Sequence, residues 1–540
     1  MKKNFLWFLA GFAGLIFFLF YFSHAFPIAS VDIKADRDKA EDIASDFIKK
    51  EGFSLSGFDE TVIFDSDYKA SSYLQKSQGI KNTNEYIREG IPVWFWEIKW
   101  FKELEKDSFI VHIDPASGRV IYFKHRILDD ESGKDLSFDE AFNMAAEKLR
   151  SEGINLSNYE LKDKKTEKQK NRTDYEFTWE KIDYRIGEAT LRIDVEVYGE
   201  ELGEYKRYLK VPENFERYME GEIHFGRMLS MIANIFKFLL TMGAVFVILL
   251  KRKQITVNWK LWLGLGCFIA FLKFLNSLNT LPLIWSFYQD TMSQFIFIVD
   301  ALGDEFIKAL TTGVMVIAYG SLGEVFLENY KRVPRPLFLS KENRNIGYGA
   351  VFSSVIVGYS LGFIFLGYIT LFYIVGSEFF GIWVPPDVEY SNIFGMLIPF
   401  LLPLTVAVSS AVEEELAYRF FAIPFLNKLL KFSFPAVFIS ALTWGYAHSF
   451  YRIFPTYVRG IELTLFGLIV GFVFLKYGLE AVIISHFVVN SVLIGMPLIK
   501  SNDFHLSVSG VLVIACAFIF PLTFIFLSKA GRKSRIMKSE

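Results

Sequence analysis

Residues Ala407-Val408-Ser409-Ser410-Ala411-Val412-Glu413-Glu414-Glu415-Leu416-Ala417-Tyr418-Arg419 run from an apolar stretch straight into three carboxylates and a guanidinium. Two later stretches repeat the pattern, Trp444-Gly445-Tyr446-Ala447-His448 and His486-Phe487-Val488-Val489-Asn490. Each sets ionisable or amide groups among Leu, Ile, Val and Phe. Burial of such groups in a bilayer is costly unless they are paired, so they mark functional positions by default. The spacing predicts a membrane helix bundle with a polar site inside it.

The rest of the chain agrees with a bundle. It has 540 residues, 52% of them hydrophobic, including 58 Phe, and a mean hydropathy of +0.28. That is too apolar for an average soluble enzyme and too long for one compact domain. A net charge of -2 argues against a nucleic-acid partner. The two cysteines, Cys267 and Cys516, lie in apolar runs and offer neither a disulfide framework nor a Cys-based zinc site.

Outward from the motifs, apolar runs fall at Met228–Leu250, Trp259–Leu275, Leu283–Ala301, Phe306–Leu327, Val351–Val375 and Ile393–Ala411. The run at Leu283–Ala301 carries Asp290 and Asp300 and reads as interfacial. Pro399 and Pro403 are expected to bend the run at Ile393–Ala411. Further helices are expected near Phe434–Tyr446, Leu463–Leu475, Ala481–Leu498 and Val508–Leu527. Together with Phe5–Phe22 this makes about eight to ten membrane helices. Phe5–Phe22 reads as an uncleaved anchor, with a signal peptide cleaved near Ser23-His24-Ala25 as the alternative; Lys2 and Lys3 lie on the cytoplasmic side, and Lys529, Arg532, Lys533 and Arg535 put the C-terminus there too. The same count sets Glu414 and His486 near the cytoplasmic ends of their helices and His448 near the outer end of its own. A shared site then requires a tilted or re-entrant Phe434 helix, or a different span count.

Between Pro27 and Gly226 the chain is charged and has no spanning run. It contains an internal repeat. Asp38-Lys39-Ala40 opens a helical pattern ending near Gly52, and Asp139-Glu140-Ala141 opens another ending near Gly153. Ser137 with Glu140 forms a capping box in the sequence, and Gly52 and Gly153 sit at helix C-caps. Strand patterns follow at Val93–Ile98, Phe109–Ile113 and Arg119–Phe123, the last two joined by the turn Asp114-Pro115-Ala116-Ser117-Gly118. This helix, strand and Asp-Pro-x-Ser-Gly order resembles the PepSY module, the first copy more closely than the second. The resemblance implies inhibition or binding of a protease; a packing or spacer role is equally open.

The chemistry of the motifs can be read from helical geometry. Glu415 and Arg419 are four apart and share a face with Glu on the N-terminal side, the better order for an ion pair. Glu414 points about 100° away, because a helix turns once per 3.6 residues. One glutamate is then neutralised while the other aims into a cavity. His486 and Asn490 also share a face and suit an oxyanion or a ligand carbonyl. For each motif alone an ordinary helix end or a packing role is the rival reading.

The ordered set Glu-Glu-x-x-x-Arg, aromatic-x-x-x-His, His-x-x-x-Asn resembles the CPBP family of intramembrane proteases, which includes the type II CAAX prenyl endopeptidases and bacteriocin-processing proteins. The resemblance covers about Ile393 to Leu498, with Trp444 where Phe is usual and Phe420 where Gly is usual. It implies Glu414 as the base that activates water, His448 as its partner, His486 and Asn490 as the oxyanion hole, and Glu415 with Arg419 as a structural pair. Glu414, His448 and His486 also make a candidate zinc set, while the same residues serve a metal-free glutamate protease. No His-Glu-x-x-His occurs, so the sequence has no zincin motif. Gly358-Tyr359-Ser360-Leu361-Gly362 resembles the rhomboid nucleophile region, but close helix packing through small residues is the favoured role there.

The expected organisation is a polytopic all-α membrane bundle with an α+β extracytoplasmic region inserted after the first helix. Residues 1–26 form the anchor, 27–130 and 131–222 the two repeats, and 223–390 the upstream membrane helices. The catalytic core is 391–500, and 501–540 the last helix and basic tail. The expected function is an intramembrane endopeptidase of a bacterial plasma membrane acting on a peptide or membrane protein. The alternative is a non-enzymatic receptor, scaffold or immunity factor that binds through the extracytoplasmic region.

Overall fold

A computed structural model describes residues 2–251, 257–328, 348–384 and 392–539, with 330, 333, 334, 336 and 339 between them. The basic residues Arg252, Lys253, Lys331, Arg332 and Arg335 lie outside the described residues, as do the side chains of Lys2, Lys3, Lys251, Lys529, Arg532, Lys533 and Arg535.

Helix α1 (Lys2–Ala25) leads into the charged region. There α2 (Arg37–Lys50), β1 (Asp59–Ser66), α3 (Tyr68–Arg88), β2 (Trp94–Phe101), β3 (Ser108–Ile113) and β4 (Val120–Arg126) form one half. The second half is α4 (Phe138–Ser151), β5 (Tyr159–Lys168), β6 (Thr173–Ile186), β7 (Ala189–Tyr198) and β8 (Glu201–Lys210). Each half is a four-stranded antiparallel meander. The two meet at β4 and β8 to give one eight-stranded sheet of order β1-β2-β3-β4-β8-β7-β6-β5. Helices α2 and α4 bury Ala40, Ala44, Phe47 and Ile48, and Ala141, Ala145 and Leu149, in the core they share with the sheet. Ser137 and Glu140 make both bonds of the capping box. Gly52 and Gly153 take φ of +92° and +76°, where a side chain would be strained. Strand β1 and helix α3 were not foreseen; α3 is broken by a kink at Gly79 (φ +74°), so no single amphipathic pattern runs through it.

The membrane part starts with α5 (Glu213–Lys251), then α6 (Trp259–Asn279), α7 (Leu281–Ser286), α8 (Gln294–Glu328) and α9 (Tyr348–Phe380). It continues with α10 (Leu401–Glu414), a π-helical turn (Glu415–Phe421), α11 (Ala422–Leu430), α12 (Ser433–Ala447), α13 (Tyr457–Tyr477), α14 (Leu479–Lys500) and α15 (Phe504–Ser539). Among the described residues eight helices are long and apolar enough to cross a membrane: α1, α5, α6, α8, α9, α13, α14 and α15. The chain is a multi-pass membrane protein.

Three expectations are corrected. The boundary at 222/223 falls inside α5, whose first turns bury Phe215 and Met219 in the sheet core. At about 1.5 Å per residue, α5 is longer than the roughly 30 Å hydrocarbon core needs, so its start belongs with the sheet. The run Leu283–Ala301 divides: its beginning lies in the short α7 and its end is the first part of α8. Pro399 and Pro403 do not bend a helix through 393–411. They mark its start, since Asn392–Gly395 is a separate 3-10 turn and α10 begins at Leu401.

The sheet region sits directly on one end of the bundle. The Thr61 hydroxyl donates to the Pro282 carbonyl at 2.7 Å, and Lys99 donates to the carbonyls of Ser286 and Tyr288, both at 2.8 Å. The Phe64 amide donates to Asn392 Oδ1 at 3.0 Å. Trp383, Phe394, Phe454, Leu498 and Leu506 from the membrane part join the apolar core of the sheet. On the other flank, Gly11 and Gly14 let α1 touch α9: a Cβ would lie 2.7 Å from Ser360 Cα and 2.5 Å from the Phe363 oxygen.

Asn392→Ala should leave the Phe64 amide without its acceptor and lower stability by about 1–3 kcal/mol. A lower melting temperature of the full-length protein in detergent checks this.

Candidate active site

Three helices bring the motif residues to one place. From Leu401, the thirteen-residue advance along α10 carries Glu414 about 20 Å into the bundle. His486 lies in the second turn of α14. Helix α12 has 15 residues, about 22 Å, which is short of the roughly 30 Å core, so its C-cap His448 stops inside the bundle. The chain then continues through 448–456 without a helix, and Ser449, Phe454 and Thr456 are buried there. Irregular backbone at this depth is tolerated when it is packed in protein. The short α12 therefore lets His448 meet Glu414 and His486 inside the bundle.

Glu414 Oε2 is the meeting point. The Trp444 indole Nε1 donates to it at 2.6 Å. His448 Nε2 stands 3.6 Å from it and His486 Nε2 4.0 Å. His448 Nδ1 is 2.8 Å from the Trp444 carbonyl, an acceptor, so that nitrogen carries a hydrogen and Nε2 is the atom that faces Glu414. His486 Nδ1 is 3.0 Å from Glu415 Oε1, which fixes its tautomer in the same sense.

Behind this layer Glu415 Oε1 also accepts from Arg419 Nη1 at 3.1 Å, with both residues 1% exposed. The Arg419 guanidinium stacks on the Trp444 ring, 4.1 Å from its centre. Glu415 and Arg419 are thus a buried pair that touches both halves of the site. Asn490 lies one turn beyond His486 and lines the same cavity; its amide has no hydrogen-bond partner among the described residues. Glu413, which offered a second register, does not line the cavity.

The cavity has a volume of about 260 Å³ and apolar walls that include Phe22, Phe26, Phe365, Leu463 and Val489. Among the described residues no three His, Cys, Asp or Glu side chains are grouped to hold an ion, and the Glu414 oxygen nearest both imidazoles already accepts the indole N–H. Ser360 is buried in the seam between α1 and α9, away from the cavity lining. Gly358 and Gly362 touch α14, where a Cβ would lie 2.8 Å from the Ala481 oxygen and 3.1 Å from the Ser485 oxygen. Close packing accounts for all three residues.

Sequence reading missed two parts of the site. The indole of Trp444 serves as a hydrogen-bond donor to Glu414, a role its aromatic character does not announce. Arg459 also lines the cavity, paired with Glu462. Its signal was present, an Arg and a Glu three apart in an otherwise apolar helix.

Comparison with known proteins places the same segment. Residues 396–492 match the family model of Rce1-like type II CAAX prenyl endopeptidases. The sporulation-killing factor biosynthesis protein SkfC of Bacillus subtilis (strain 168) is 26% identical over 144 residues, 27% of this chain and 29% of that protein. The chain thus spans less than a third of the curated relative it matches. No solved structure matches.

Arg419→Leu should strand the Glu415 carboxylate in the interior and cost about 3–5 kcal/mol. The paired change Glu415→Gln with Arg419→Met should cost less. Thermal unfolding of the three proteins in detergent, compared side by side, checks the order.

Proposed function

We propose that this chain, which carries an Rce1-like domain at residues 396–492, is an intramembrane endopeptidase that hydrolyses a peptide or membrane-protein substrate with Glu414 as its general base. The observation that carries the reading is the convergence on Glu414 Oε2 of an indole N–H and two imidazole nitrogens within 2.6–4.0 Å. The apolar wall around them strengthens every charge interaction inside.

Hydrolysis divides among these groups as follows. Glu414, with His448 beside it, takes a proton from a water whose oxygen attacks the scissile carbonyl. The new C–O bond leaves negative charge on the former carbonyl oxygen. The Asn490 amide donates to that oxygen, together with His486 when its Nε2 carries a proton. Glu414 then returns the proton to the departing amide nitrogen as the C–N bond breaks, giving a carboxylate and an amine. Glu415 and Arg419 touch no substrate; they hold the His486 ring and the Trp444 indole in place. No step is routed through a metal ion, and the donor geometry around Glu414 supports that reading.

In this reading residues 27–222 lie outside the cytoplasm of a bacterial plasma membrane and the C-terminus lies inside. In the same reading the paired meanders are PepSY-like modules packed against one end of the bundle.

Purified wild-type protein should cleave members of a quenched peptide library in detergent. Glu414→Gln should lose at least about 10²-fold in kcat, as general-base removal does. Asn490→Ala should lose about 10²–10³-fold, the range for one oxyanion donor. Cleavage by Glu414→Gln at the wild-type rate would sink the assignment and favour a non-enzymatic binding role. In a separate measurement, the wild-type rate should be unchanged after exhaustive chelation; loss of activity restored by added zinc would replace the glutamate-only chemistry with a metal-assisted one.

A further inference from the structure

Arg459 is out of place among its neighbours. It lies in the first turn of α13 and contributes to a cavity wall made mostly of Phe, Ile, Leu, Val and Pro. Among the described lining residues it is the one Arg or Lys. A guanidinium cannot shed its charge to suit an apolar wall, because its pKa exceeds about 12.

Its partners engage only one of its three nitrogens. Nη1 donates to both Glu462 oxygens, at 2.9 and 2.7 Å, and lies 3.3 Å from the Tyr373 hydroxyl. Tyr373 in turn donates to Glu462 Oε2 at 2.6 Å. Glu462 is fully buried and Tyr373 4% exposed, so this pair holds the guanidinium at one fixed angle. The opposite edge is different. Nε is buried without an acceptor among the described residues, and Nη2 makes no hydrogen bond to them. A buried donor left unpaired costs about 1–3 kcal/mol. The edge formed by Nε and Nη2 is also the one that pairs side-on with a carboxylate, two parallel N–H···O bonds at once.

The guanidinium is close to the reacting groups. The Tyr451 ring stacks on His448 with centroids 5.7 Å apart, and the Arg459 guanidinium lies 5.7 Å from the same ring. An extended peptide covers about 3.3–3.6 Å per residue, so a group held by Arg459 is at most about three residues from a carbonyl beside His448.

We propose that Arg459, oriented by Glu462 and Tyr373, is a carboxylate-binding subsite of the cavity that selects substrates with an acidic group near the cleaved bond. This rests on the endopeptidase reading for its catalytic consequence, but the binding it describes does not. Arg459 lies between two carboxylates when the subsite is filled, an arrangement its five donors allow. The carboxylate comes from either an Asp or Glu side chain or a free C-terminus.

Four versions of one apolar peptide separate these sources: internal Asp or internal Asn, each with a free or an amidated C-terminus. The assay uses full-length protein in detergent and reads KM and kcat for each peptide. Wild type should favour at least one acidic version over the neutral one by about ten- to hundredfold, through KM. Arg459→Gln combined with Glu462→Gln, which removes both charges together, should bring that ratio close to one. Arg459→Lys should keep part of it. The ratio compares peptides on one preparation, so partial unfolding lowers both rates and leaves it unchanged. Equal use of all four peptides by wild type, or a preference that survives loss of Arg459, overturns the proposal. If wild type cleaves none of them, the endopeptidase reading is what fails, and the subsite is tested by anisotropy of the same labelled peptides bound to Glu414→Ala. There, equal affinity for acidic and neutral peptides overturns it, and an Arg459-dependent preference upholds it.

Discussion

The ion pair of Glu415 and Arg419 is the contact on which the rest of the site depends. Two opposite charges with almost no solvent exposure repay their desolvation only when further hydrogen bonds and stacking complete them. Here the site itself supplies one further hydrogen bond and one stacking contact, while Glu415 Oε2 and Arg419 Nη2 have no hydrogen-bond partner among the described residues. Glu415 takes the Nδ1 hydrogen of His486 on α14, and Arg419 lies flat against Trp444 on α12. The pair therefore fixes the ring that faces Glu414 from one side and the indole that holds it from the other. Neighbouring glutamates divide the work because adjacent residues on a helix point different ways: one is neutralised and structural, the other is left to the cavity.

The depth of the site follows from a helix that ends early. Helix α12 stops at His448 well short of a full crossing, and the irregular segment after it is covered by the sheet region, by α5 and by 383–384. Glu222 of α5 accepts from the Thr456 amide at 2.9 Å, and Trp383 pairs with Phe454. The sheet region is thereby more than a tethered appendage. Its core is continuous with one end of the bundle, and Phe22, Phe26, Pro27 and Ile28, which lead into it, form part of the cavity wall. Movement of that region relative to the bundle would alter the cavity directly.

The π-helical turn at Glu415–Phe421 lies where α10 leaves the site. Such turns are rare and concentrate at functional positions. In this one Leu416, Ala417, Tyr418, Phe420 and Phe421 are all buried together with the ion pair. The helix is enclosed on every side at that level, and the polar groups have nowhere to go except toward one another.

The amino-acid sequence by itself determined the helical bundle, the charged region after the first helix, and the motif residues that share a face, because these depend on apolar run length and on the 3.6-residue period. It also carried the capping box at Ser137 and the turn at Asp114, whose chemistry is local. It did not show where α5 begins, since a helix that passes from water into lipid changes composition without changing conformation. Nor did it show that Pro399 and Pro403 start a helix rather than bend one, as proline has the same sequence signature in both roles. Only the tertiary structure decided that His448 stops at the level of Glu414, that Trp444 donates to it, and that Arg459 joins the cavity from α13. Each of these is a distance between residues far apart in the chain, set by how helices of unequal length pack, and no local pattern encodes it.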